Sequence, residues 1–202
     1  MERHALILTQ GLWWGRRVGV AFGRAAALPR RGRRRWLAAR RLCARALARA
    51  ARVPLRNHLG PRQFAVGRSG GAESLGLTVR HLAEQQPQLV WLKLDLSNAY
   101  NHQGRASSLR QLVRAAPALA AFQSLFYCSE APSQYWYRIS DSECVRLSAR
   151  DGIEQGDPAG PAQFACGLKE LLDSMDLRLQ IAAQTRGLPP PFLFAYLDDT
   201  VI

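Results

Sequence analysis

The chain has 202 residues, 28 of them Lys or Arg against 15 Asp or Glu, for a formal net charge of +13. That length suffices for one substantial core with an appendage. No apolar run is long enough to span a bilayer, so no membrane partner is expected.

The charge is lopsided. Residues 1–72 hold seventeen arginines and a single acid, Glu2, whereas the remainder holds eleven basic residues against fourteen acids. The basic segment suits a polyanion. GC-rich coding, which enriches Arg, Ala, Gly and Pro without selection for binding, is the competing source of the arginines. Cys43, Cys128, Cys144 and Cys166 lie far apart with no CxxC pair. They read as reduced, mostly core cysteines of an intracellular protein.

In chain order, residues 1–35 are Arg-rich and acid-poor, as transit peptides are, but lack their serine enrichment. They are expected to form a poorly ordered arm, with one structural unit over 36–202. A helix is expected over 36–53, with Leu42, Cys43, Ala46, Leu47, Ala50 and Val53 as its inward stripe. Arg41, Arg45, Arg49 and Arg52 line another face, either as a solvated surface or as phosphate contacts, and Pro54 is expected to end the helix. Glycines 67, 70 and 71 permit close backbone approach to a ligand. A helix follows over about 72–86, with Leu75, Val79 and Leu82 inward.

Residues 89–96 read as a largely apolar strand carrying Asp95 near its end, where an aspartate would otherwise cap the next helix. Helices are expected over 104–116 (Leu109, Leu112, Val113 and Ala116 inward) and 118–128, then a hairpin of 135–139 with 144–147 around Asp141 and Ser142. A Gly- and Pro-rich loop over 152–161 leads into a helix over 162–180, and three prolines, 189–191, separate it from a last strand. That strand runs from Phe194 into Asp198 and Asp199, and apolar Val201 and Ile202 follow. Two adjacent carboxylates in an apolar frame are costly unless something positive stabilises them, so this tip points to a metal site. Successive strand residues face opposite ways, but a turn between two strands can present both carboxylates.

The order of these pieces resembles the palm of reverse transcriptases, with the nearest similarity to non-LTR, LINE-like retrotransposon enzymes. Asp95 to Tyr100 match motif A, Gly152 to Phe164 match motif B, and Tyr196-Leu197-Asp198-Asp199 match the YxDD of motif C. Gln63-Phe64-Ala65-Val66-Gly67 resembles the preceding fingers motif, and the similarity covers roughly residues 40–202. It implies an α/β (α+β) fold: a palm with an antiparallel sheet and helices, a mainly helical fingers region, and truncation before the thumb. One departure stands out. The family has an Arg-Pro-Ile-like stretch just before residue 40, where this chain has Arg33-Arg34-Arg35-Trp36-Leu37. The contact it makes to the triphosphate is then either lost or supplied by a neighbouring arginine.

By the same resemblance the chain is an RNA-directed DNA polymerase, joining dNTPs to a primer 3′-hydroxyl with two Mg²⁺ ions, for which Mn²⁺ can substitute. Asp95 and Asp198 would bridge the metals and Asp199 would adjust the charge of the site. Tyr100, with Leu96, Gln155 and Gly156, would contact the nucleotide, the Tyr100 ring excluding a 2′-hydroxyl. Gln63, Arg68, Arg41, Arg45 and Arg49 would contact nucleic acid. The implied partners are an RNA template, a DNA primer or target, and dNTPs. No protein partner is implied, and the compartment is nuclear or cytoplasmic. Two alternatives stay open. One is an inactive, decayed retroelement product that binds nucleic acid non-specifically. The other is an RNA-dependent RNA polymerase, against which Tyr100 and Tyr196 argue.

Overall fold

The computed structural model describes residues 18–21, 30–127, 133–140 and 143–202. The fold mixes α-helices with two small antiparallel sheets. The hairpin turn at Asp141 and Ser142, residue Cys128, and most of the expected N-terminal arm lie outside the described residues. Within that arm, Val18–Ala21 forms strand β1, and α1 begins at Arg30, ahead of the helix start expected at residue 36.

Helix α1 spans Arg30–Ala50 and α2 spans Arg52–Leu59. Pro54 does not end a helix. It lies in the first turn of α2, where its missing N–H has no carbonyl to meet and its fixed φ is already helical. The inward face of α1 is also corrected. Leu42 is 64% and Val53 is 54% exposed, and Cys43, Ala46 and Ala50 face solvent too, whereas Arg40 and Ala44 are buried. The helix turns Arg40 and Ala44 inward because the core contributes carboxylates that pair with Arg40.

Helix α3, Gly71–Gln85, is peripheral: Leu75, Val79 and Leu82 are only half-buried. Strand β2, Lys93–Leu94, is far shorter than expected, since Val90 is 90% exposed on an open edge. A short helix α4, Ala99–His102, precedes α5, Arg105–Ala115, and α6, Pro117–Tyr127. Strand β3, Ser133–Arg138, pairs antiparallel with β4, Cys144–Ala149, as expected for the hairpin, and β1 completes a sheet of order β1-β3-β4.

Helix α7, Gly160–Thr185, is the longest element. It opens with Pro161 in its first turn and packs against α5, burying Leu109, Leu112, Phe164, Cys166 and Leu168. Val113, expected inward, faces solvent. Phe164 is fully buried, which contributes roughly 2–3 kcal/mol. Burial also pushes the Cys166 thiol up to about 12, as expected of a fully buried packing group. The cysteines are not mostly core: Cys43 and Cys144 are exposed. Strands β5, Phe194–Tyr196, and β6, Asp199–Val201, join β2 in a sheet of order β2-β6-β5.

Candidate functional site

The last hairpin and β2 bring the three predicted carboxylates to one end of the β2-β6-β5 sheet. Tyr196 pairs with Asp199, leaving Leu197 and Asp198 as a two-residue tip, with Leu197 at φ 56°. Lys93 pairs with Val201 and Leu94 with Thr200, and Leu92 exchanges both backbone hydrogen bonds with Ile202. Continued by one residue, that register sets Asp95 across from Asp199. Asp95 is exposed, and Asp198 and Asp199 are half-buried.

Lys93, unremarked in the sequence reading, supplies the local positive charge. Its Nζ lies 3.0 Å from Asp199 Oδ1. The hydrogen bond and charge of Asp199 raise the Lys93 ammonium above its ordinary value, and Asp95 and Asp198 add to the effect. Among the described residues, no group of three or more His, Cys, Asp or Glu side chains forms a ready metal cage. Mg²⁺ commonly takes only one or two carboxylates and completes its shell with water and phosphate oxygens. The carboxylate oxygens on this open edge therefore fit such an ion in kind.

Tyr100 couples this edge to the core. Its ring stacks on Phe164 at 4.4 Å between centroids and 4° between planes. Burial first, and then the charge of Asp198, push its phenol well above the ordinary value, so it stays protonated at neutral pH. Tyr100 also lines a cleft of about 470 Å³ with Arg41, Arg45, Gln155, Gly156 and Pro158. That volume lies within the usual range for small-ligand sites. Residues predicted from three separate segments thus meet at one cavity.

What holds that cleft is a buried network with little local signal in the sequence. Gln155 and Gly156 are exposed, but Glu154 and Asp157 on either side are each 3% exposed. Buried Arg40 donates to Glu154 Oε2 at 3.2 Å and to Asp157 Oδ2 at 2.9 Å, with its guanidinium 4.0 Å above the Phe126 ring. Burial pulls the Arg40 pKa down, but the charges of Glu154 and Asp157 outweigh it and the net shift is upward. The Tyr127 hydroxyl donates to Asp157 Oδ2 at 2.9 Å and accepts from the Glu154 N–H at 3.2 Å. Gln123 donates to Asp157 and to Gln163, and Gln163 donates to Ser108. Buried Arg105 donates to the carbonyls of Gly152 and Ala149 at 2.8 and 3.1 Å. Gly152 has φ +82°, and a Cβ there would lie 2.5 Å from the Asn101 carbonyl oxygen, so only glycine lets this loop close on α4. The one sequence signal for this network was an arginine aligned with Ala44 instead of with the other arginines.

Other predicted site residues stand elsewhere. Leu96 lines a separate, smaller cleft with Ser97, Ala99, His102 and Phe164. Arg49 is exposed and does not line the Tyr100 cleft. Gln63 is 2% exposed, so its expected nucleic-acid contact is corrected. Arg68 donates from Nε to the Gln63 carbonyl at 3.1 Å and from Nη2 to the Pro61 carbonyl at 2.9 Å, and lies over the Phe64 ring. The close approach permitted by the glycines is internal: a Cβ on Gly71 would overlap the Phe64 carbonyl, and one on Gly67 would meet α2.

No protein-family model matches the chain, and a search of curated proteins finds no match. Among the described residues no helix is long and apolar enough to cross a membrane.

Proposed function

We propose that the chain is the nucleotidyl-transfer core of a retroelement RNA-directed DNA polymerase, with a palm carrying the carboxylate edge and a helical fingers region over it. The observation that carries this reading is the meeting of Tyr100, Gln155 and Gly156 with Arg41 and Arg45 in one cleft, whose tyrosine feels the charge of Asp198. In this reading Asp95 and Asp198 would hold Mg²⁺, which would supply positive charge to the reacting phosphate. Arg41 and Arg45 attract the triphosphate, in the role left open by the degraded Arg-Pro-Ile stretch. The exposed amide of Gln155 faces the incoming nucleotide, and Gly156 leaves room for it. Tyr100, fixed by its stack on Phe164, fills the space that a 2′-hydroxyl would need, which favours dNTPs.

The test is primer extension on an RNA template with Mg²⁺ and dNTPs, run beside Asp198→Asn. Extension by the wild type, with loss in the mutant and RNA affinity nearly unchanged, is the expected result, because binding is mostly phosphate electrostatics. Equal residual synthesis by both proteins removes the polymerase reading. A second reading, a nucleic-acid binder without catalysis, is favoured by the Lys93–Asp199 pair, which offsets carboxylate repulsion without a metal. RNA binding with no synthesis by either protein selects it.

A further inference from the structure

We propose that Gln63 is a positioning residue: a buried acceptor that sets the Leu197–Asp198 turn and so the placement of the Asp198 carboxylate. The consequence for Asp198 rests on the polymerase reading; the bond itself does not.

The segment around Gln63 lies parallel to β5. The Phe64 N–H donates to the Ala195 carbonyl at 2.8 Å, and the Ala195 N–H donates to the Arg62 carbonyl at 2.8 Å, which sets Gln63 beside Ala195. The backbone ladder stops there. Two residues on, the Leu197 N–H faces the same side, by strand alternation. The Gln63 side chain meets it: Oε1 accepts from Leu197 N at 3.0 Å and from Ala65 N at 3.1 Å. Both partners are donors, so the oxygen end of the amide must face the turn.

Leu197 needs such a partner. Its φ of 56° lies in the left-handed region, which a non-glycine residue keeps only when its surroundings over-determine it. Gln63 itself is retained at a cost. Its Nε2 is buried with no hydrogen-bond partner among the described residues. A leucine would avoid that cost but would strip both backbone donors of their acceptor. The position therefore selects for the carbonyl oxygen and not for apolar filling.

The experiment is amide hydrogen exchange by NMR on the full chain labelled with ¹⁵N-leucine and ¹⁵N-alanine, in wild type, Gln63→Leu and Gln63→Glu. Mn²⁺ affinity is measured on the same samples. Gln63→Leu should speed exchange at Leu197 on the order of tenfold relative to Ala195, whose own bond to Arg62 remains. Gln63→Glu, which keeps an acceptor, should restore Leu197 protection. Mn²⁺ affinity should fall about tenfold in Gln63→Leu, as when a group orienting a metal ligand is lost. Unchanged exchange at Leu197, or equal acceleration at Ala195, overturns the proposal. So does faster Leu197 exchange with unaltered Mn²⁺ affinity. A wild type that binds no Mn²⁺ removes the metal reading, while the Leu197 rates still decide the latch. Should Gln63→Leu fail to fold, wild-type protection at Leu197 matching Ala195 supports the latch, and free exchange there overturns it.

Discussion

Asp157 and Asp198 are both aspartates in tight turns beside a secondary-structure element, yet they end in opposite surroundings. Asp157 is 3% exposed and accepts hydrogen bonds from Arg40, Tyr127, Gln123 and the Ala159 N–H. Asp198 is half-buried at a hairpin tip beside Asp95 and Asp199, with Lys93 nearby. A buried carboxylate must have its acceptor sites filled by protein, and that demand fixes the loop around it. A carboxylate at an open edge keeps acceptor sites for something else. Burial thus separates the acid that holds the site from the acid that is free to act in it.

The same division runs through the bases, and it predicts the largest effect. Arg40→Ala removes the guanidinium that pairs with buried Glu154 and Asp157. It should cost ~3–5 kcal/mol and lower the thermal midpoint by roughly 10 °C. Lys93→Ala, at the exposed pair, should leave the midpoint unchanged. Similar melting curves for the two variants would erase the distinction.

Tyr100→Ala sharpens the comparison from the open side. Losing the ring between Phe164 and the cleft should weaken selection of dNTPs over rNTPs by roughly tenfold to a hundredfold, read as the ratio of incorporation rates. Unchanged selection would make Tyr100 a packing residue only.

Arg40 and Arg41 are sequence neighbours assigned to different regions, so a smaller effect separates them. Replacing Arg41 and Arg45 with Ala should flatten the log–log dependence of RNA affinity on salt by about 0.7 per lost phosphate contact. The fold should survive, since both side chains border the cleft and not the core. A salt slope equal to that of the wild type would return the stripe to a solvated face.

The smallest effect concerns His58, whose Nε2 is buried without a partner among the described residues. Burial first, then the charges of Lys169 and Arg114, lower its pKa below the ordinary 6.5. The unfolded chain then binds more protons below that pH, so stability falls as pH drops through about 6.5 and levels off beneath the folded value. His58→Gln should remove this acid-side decline, a difference on the order of a degree in melting midpoint. A wild-type midpoint that rises on acidification through this window would contradict the sign.

The sequence by itself determined the local elements whose signals are short-range. The Gly- and Pro-rich loop before α7, the hairpin of β3 and β4, and a terminal hairpin follow from turn residues and apolar periodicity, although the last turn falls at Leu197 and Asp198 and not at the Asp198-Asp199 pair. The same local chemistry singled out the Asp198-Asp199 pair, whereas Asp95, Tyr100, Gln155 and Gly156 stand out only through the motif resemblance. It misjudged α1, because periodicity assigns a buried face by hydropathy and cannot foresee that Glu154 and Asp157, more than a hundred residues away, make an inward arginine favourable. The nucleic-acid contact that the resemblance implied for Gln63 misleads for a related reason: its side-chain oxygen accepts from the Leu197 N–H, a partner distant in sequence. Only the tertiary structure decided which polar groups are satisfied internally and which stay open. That outcome depends on desolvation and on partners distant in sequence, and neither is encoded in local spacing.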